Sequence, residues 1–219
     1  VYVKFEVTDD KGKLFSMGAV PGKTYVVIWT TTTWTLPANV AICLGPNFDY
    51  ALLKANREGE TEYYVVAKEL AANVMQEAGI EEYEIIGTVK GSELEYVECA
   101  HPFLDRKSIL ILGDHVTLDS GTGCVHTAPG FGADDYETCK RYGMEMVVPV
   151  VTQHYPEIPF TVPVDSEGRM TEEAGFSAGL TTDEASKVIA KHIHESGHLL
   201  ATKKLRHQYP HCWRCKKPI

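Results

Sequence analysis

The first seven residues alternate strictly, with Val1, Val3, Phe5 and Val7 on one side and Tyr2, Lys4 and Glu6 on the other. A period of two sends successive side chains to opposite faces of an extended chain, so this run predicts a β-strand. Alternating or β-branched runs recur at 24–33, 40–44, 50–54, 62–67, 83–89, 94–98, 108–112 and 123–127. Turn signals separate them, among them Asp10-Lys11-Gly12, Pro21-Gly22 and Gly45-Pro46-Asn47. Helical periodicity replaces alternation at about 67–78, 134–142 and 182–196, and the last of these is bounded by a capping-box pair, Thr181 and Glu184, and by Gly197. Many strands with few helices predict an α+β, β-rich fold: a curved sheet or β-barrel core with peripheral helices. The stretch 151–164 holds three prolines and reads as an extended surface excursion, because proline cannot donate to a ladder. A boundary near Leu200 divides the chain into 1–199 and a short segment, 200–219.

Composition narrows the setting. A chain of 219 residues with 44% hydrophobic and 23% charged positions can bury a full core. It has no uncharged apolar run long enough for a bilayer, and its start lacks a secretory pattern, so a soluble, cytoplasmic chain is expected. The six cysteines are scattered except for Cys212 and Cys215, which favours reduced thiols over a disulfide framework. A net charge of −9 argues against a broad phosphate-gripping surface, leaving only a local stripe of Lys203, Lys204, Arg206 and Arg214. Both ends read as cut, as in a piece of a longer protein.

Two segments carry the chemistry. Thr30, Thr31, Thr32, Thr33 and Thr35 put five hydroxyls within six residues, just after the apolar run Val26-Val27-Ile28-Trp29. A solvent-facing edge strand explains some of them, but on an extended chain half would point to the other face, toward a polar pocket. Residues 121–136, GTGCVHTAPGFGADDY, place a strand end, a glycine turn, a histidine and two adjacent carboxylates at the mouth of a helix. Gly121, Gly123, Gly130 and Gly132 mark positions needing left-handed backbone or close approach. Asp134 and Asp135 stand where the helix dipole favours negative charge. The plainer reading makes Asp134 an N-cap and His126 a satisfied core residue.

Together, WTTTTWTLPAN and GTGCVHTAPGFGADDY resemble the editing domain of isoleucyl-tRNA synthetases, the insertion called connective peptide 1. Relatives for valine and leucine carry a Thr-Thr-Arg-Pro type string at the threonine segment, so both motifs favour the isoleucine branch. Thr33 stands where many members have proline, and Phe131 where many have histidine. The resemblance implies hydrolysis of Val-tRNA(Ile), and of valyl-adenylate, with no cofactor. Its partners would be the valine-bearing 3′ end of tRNA(Ile) and the remainder of a synthetase, in a monomer. It implies that Asp135 anchors the substrate ammonium and that His126 limits side-chain size. Thr30, Thr31 and Thr32 would hold the amino acid and terminal adenosine, with Asn39, Trp34, Gly130 and Phe131 around them. The family's ATP-site signatures, His-Ile-Gly-His and Lys-Met-Ser-Lys-Ser, are absent from the sequence, so the chain is not expected to activate isoleucine.

Three alternatives stand beside this reading. Cys124, two residues from His126, has the makings of a thiol nucleophile, although same-face neighbours on a strand are badly placed for it. Cys212-Trp213-Arg214-Cys215 has the spacing of half a zinc site, to be completed by His207 or His211, or by a cysteine pair that some relatives carry before the insertion. His192, His194 and His198 are better read as a solvated helix face than as ligands. A non-catalytic tRNA-binding or zinc-ribbon docking module is the runner-up function.

Overall fold

The opening alternation forms strand β1 (Tyr2–Asp9) in the computed structural model, which describes residues 1–144, 163–204 and 211–216. The other strands are β2 (Thr24–Trp29), β3 (Ala41–Leu44), β4 (Asp49–Arg57), β5 (Glu60–Ala67), β6 (Tyr83–Lys90), β7 (Glu98–Ala100), β8 (Lys107–Leu112), β9 (Cys124–Thr127) and β10 (Leu199–Ala201). They make one ten-stranded sheet in the order β6-β4-β5-β2-β1-β7-β8-β3-β9, with β10 added on β1. Pairing is antiparallel except between β2 and β5 and between β3 and β8. Helix α1 (Ala71–Glu77) follows β5, α2 (Ala133–Arg141) follows β9, and α3 (Thr182–Glu195) precedes β10.

The sheet curves around a main core that includes Phe5, Ile28, Leu36, Ile42, Leu52 and Tyr64. A smaller cluster of Val40, Ala41, Cys43, Ile109, Ile111 and Cys139 lies where α2 covers β3 and β8. β3 is apolar throughout, and β8 from Ile109 to Leu112, because both of their faces are covered. As the sequence predicts, α3 starts with a capping box: Glu184 accepts the Thr181 amide at 2.9 Å and returns its own amide to the Thr181 hydroxyl. Gly197, at φ 77°, stops it. No described helix is long and apolar enough to cross a membrane.

The barrel is not formed. β6 and β9 remain the two ends of the ladder. The turn before β9 meets β5 and β4 through single contacts: Ala67 N–H donates to Thr122 O at 2.8 Å and the Tyr50 hydroxyl to Gly123 O at 2.6 Å. Gly121 and Gly123, at φ 80° and 73°, bend the chain so sharply here that turn carbonyls, not a strand edge, face β5.

Three local expectations also change. β2 ends at Trp29, not Thr33, because the Thr30 hydroxyl accepts the Thr32 amide at 3.0 Å and starts a turn that leads into the 3₁₀ helix Thr33–Ala38. The strand expected at 94–98 is displaced to β7, since the 3₁₀ turn Gly91–Glu93 and Tyr96 at φ 67° occupy its start. β10 was not expected, and the division between 199 and 200 falls within it. Of the proline-rich stretch, 151–162 lies outside the described residues, while Val164 forms a bridge with Met170.

Candidate functional site

β3 and β9 pair with Ala41 opposite Thr127 and Ile42 opposite His126, which brings the segment ahead of β3 against the segment after β9. The two motifs therefore meet. Val40 N–H donates to Thr127 O at 3.2 Å, and Trp34 packs edge-on against Phe131 with ring centroids 5.1 Å apart. Gly130 lies in the turn closed by Phe131 N–H donating to Ala128 O at 2.9 Å. The hydroxyls divide: Thr31 is exposed, Thr30 and Thr32 are half-buried, and Thr33 and Thr35 are buried. Thr33 donates to Ser186 O on α3 at 2.9 Å, and Thr35 to Thr32 O at 2.8 Å.

His126 is held at both nitrogens. The Asn39 amide donates one N–H to Ala41 O at 2.8 Å and the other to His126 Nδ1 at 2.8 Å. With Nδ1 accepting, the ring proton sits on Nε2 and points at Thr35 Oγ1, 3.1 Å away. Burial, reinforced by the nearby charge of Arg106, lowers the imidazole pKa to about 4. At neutral pH His126 is uncharged with neither nitrogen free, so it forms a fixed polar wall and takes no proton. In this respect the plainer reading of a satisfied histidine holds.

Asp135 enters from the first turn of α2. Gly132, not Asp134, is the N-cap, and Asp134 is exposed. Asp135 Oδ2 accepts the Ala128 amide at 3.0 Å, tying helix start to strand end. Burial raises its pKa above the ordinary carboxylate range, against the opposing effects of that hydrogen bond and of His115. A Cβ on Gly132 would come within 3.0 Å of the Asp135 carboxyl carbon, so glycine makes room for the carboxylate to fold back.

A cavity of about 270 Å³ adjoins both motifs. Trp29, His115, Thr117 and residues 120–125 line it; Thr31 and Asp135 do not. A second cavity, of about 410 Å³, lies at the other end of α2 between Tyr96, Arg141 and Tyr142. Cys124 faces the main core with Sγ 3.9 Å from Val65 O, and burial raises its pKa strongly, which removes the thiol-nucleophile reading. Sequence reasoning counted Thr35 among the hydroxyls of its run but gave it no separate role, and it missed His115 and Arg106, which nothing local marked.

Cys212 and Cys215 share a turn closed by Lys216 N–H donating to Cys212 O at 2.9 Å. Amide hydrogen bonds from Cys215 and Arg214 to Cys212 lower its pKa, the arrangement a thiophilic metal needs. Among the described residues no group of three or more His, Cys, Asp or Glu is placed to hold a metal, and His207 lies outside them. Of the three histidines, His194 is exposed as a solvated face requires, while His192 and His198 are half-buried and the His192 ring lies tilted against Phe176 with centroids 4.3 Å apart.

The fold and the two joined motifs define a synthetase editing domain: the chain belongs to the family described as leucyl-tRNA synthetase, editing domain, whose model matches residues 9–194. Within that family its sequence follows the isoleucine enzymes. It is 52% identical over all 219 residues to the isoleucine–tRNA ligase of Caldicellulosiruptor bescii and 47% identical to that of Caldanaerobacter subterraneus. In each case the chain spans 22% of the relative's length. Among solved structures, GlLeuRS-CP1 superposes with a TM-score of 0.70 at 14% identity, covering 93% of this chain and 100% of that one. The editing domain of the P. knowlesi cytosolic leucyl-tRNA synthetase superposes at 0.64 with 11% identity, covering 90% and 93%. At such identities these two likenesses speak for the fold alone.

Proposed function

We propose that this chain, as a monomeric domain of an isoleucine–tRNA ligase, hydrolyses the ester of valine misattached to tRNA(Ile), and valyl-adenylate likewise. The observation that carries this reading is the half-buried Asp135 carboxylate held by the Ala128 amide, just past the strand whose neutral His126 meets Thr35 of the hydroxyl-rich loop. Burial outweighs the Ala128 hydrogen bond and His115 at this carboxylate, and the α-ammonium of an aminoacyl ester supplies the further counter-charge. Thr30, Thr31 and Thr32 hold the ester and its water, while Trp34, Phe131 and His126 bound the side-chain space. The cavity beside Trp29 takes the terminal adenosine between an aromatic wall and turn hydroxyls. Water adds to the ester carbonyl and the ribose oxygen leaves with a proton, giving valine and tRNA. The ester is already activated, so positioning carries the step and no covalent nucleophile is required.

An isoleucine–valine difference of one methylene is worth about 1–3 kcal/mol in an apolar pocket, and this amino-acid pair is the standard illustration. A site too small for the extra methylene rejects isoleucine by a similar amount. Deacylation of Val-tRNA(Ile) is therefore expected to outpace that of Ile-tRNA(Ile) by about tenfold or more. Equal rates would remove the proofreading role. Salt-sensitive tRNA binding without turnover would leave the docking-module reading in its place.

Gly132→Ala tests the placement of Asp135. The new Cβ presses on the carboxylate, and a displacement of a few tenths of an ångström is expected to lower valine deacylation by about tenfold with a normal melting curve. An unchanged rate would mean that the carboxylate needs no defined position. Cys212 and Cys215 would supply two thiolates of a structural zinc site, completed by His207 or His211 or by a cysteine pair elsewhere in the synthetase, and the metal would stabilise the fold without entering the reaction.

A further inference from the structure

Behind His126, three side chains carry buried polar atoms without a hydrogen-bond partner among the described residues: Nε and Nη2 of Arg106, Oγ of Ser108 and Oδ1 of Asn39. Strand register gathers them. Ser108 stands opposite Cys99, and the next residue, Ile109, donates its amide to Val40 O at 3.3 Å, so Ser108 is level with the start of β3, where Asn39 lies. Across β3, Asn39 reaches His126, and Arg106 precedes Ser108 by two residues with its backbone carbonyl accepting His101 N–H at 2.9 Å. The guanidinium has donors to spare, Asn39 Oδ1 needs one, and a serine hydroxyl can both accept and donate. Buried groups of this kind are costly singly and are satisfied as a set.

We propose that Arg106 is a positioning residue for His126, its guanidinium supplying, through internal water and with Ser108 as relay, the donor that Asn39 Oδ1 requires. The kinetic part of this inference rests on the proposed hydrolysis. With Oδ1 engaged, the Asn39 amide keeps its two N–H groups on Ala41 O and His126 Nδ1, and the imidazole proton stays on Nε2 toward Thr35, whose hydroxyl in turn holds Thr32 O. The Arg106 charge opposes a second proton on the ring. The other ionisable group that interacts with it is His101, whose pKa is itself lowered well below the ordinary value by burial.

The test is nitrogen-resolved NMR of the His126 ring in the 219-residue chain, alongside valine and isoleucine deacylation. In Arg106→Met, His126 is expected to titrate at higher pH by about one unit and to lose its single Nε2–H tautomer, with the valine preference falling about tenfold. Arg106→Lys should keep the titration close to the native one but not the tautomer, because a point charge cannot replace a planar fork. Unchanged titration and tautomer in folded Arg106→Met would overturn the proposal. Should that variant not fold, unchanged ring signals in both Arg106→Lys and Ser108→Ala would do the same. The ring signals are read without turnover, so a changed tautomer in a chain that fails to hydrolyse Val-tRNA(Ile) would sink the proposed function and leave this inference standing.

Discussion

Asp135→Asn is expected to slow hydrolysis of Val-tRNA(Ile) by about 10²–10⁴-fold, because removing one partner of a desolvated ion pair costs about 3–5 kcal/mol. Asparagine is chosen because its carbonyl oxygen can still accept the Ala128 amide, as Asp135 Oδ2 does at 3.0 Å. The loss would then report the missing charge and not a loosened turn. Stability should move the other way. A carboxylate whose folded pKa is raised weakens the fold above that pKa, and the penalty fades as pH falls through it and is gone below the unfolded value, so the asparagine variant should be no less stable at pH 7. Catalysis should show the complementary acid limb. In the wild type, kcat/KM for deacylation falls as Asp135 is protonated, over a range above the usual carboxylate value, and the limb disappears in Asp135→Asn. Native-like rates in a folded variant would remove Asp135 from the site.

Gly123→Ala is expected to have the largest effect on the fold, about 3 kcal/mol or more, from the sum of backbone strain and overpacking. Gly123 has φ 73°, and a Cβ there would lie 2.4 Å from Ala67 Cβ. Something must shift. The residue also presents its carbonyl to the Tyr50 hydroxyl, so movement would open the seam where β9 leans on β4 and β5. Urea denaturation should show a lower midpoint with full-length cooperativity. Gly12→Ala serves as control: it shares the left-handed backbone, at φ 75°, but meets nothing within 4 Å, and should cost only about 1 kcal/mol. Equal losses at the two positions would show that close approach at Gly123 has no energetic weight.

Much of this protein is legible in the chain because its signals are local. Alternation located β1 and β4 to β6 within a few residues, and the Thr181–Glu184 pair marked the start of α3. The glycines before β9 were correctly read as demanding, since positive φ at Gly121 and Gly123 is a property of the turn itself. The threonine run was misread as strand because β propensity does not reveal that a hydroxyl will bond its own backbone two residues on.

The sequence by itself determined the period of the elements, the positions of the tight turns and the chemical groups available for a site: hydroxyls, one histidine and a pair of carboxylates. Only the tertiary structure decided that the sheet stays open, that His126 is neutral with both nitrogens engaged, and that Asp135 is desolvated. It also decided that Arg106 and His115, remote in sequence from the threonine loop, lie near the place where the two motifs meet. The reason is physical: periodicity and turn chemistry act over a few neighbouring residues, whereas strand order, burial and the electrostatics that follow from burial depend on which distant segments pack together.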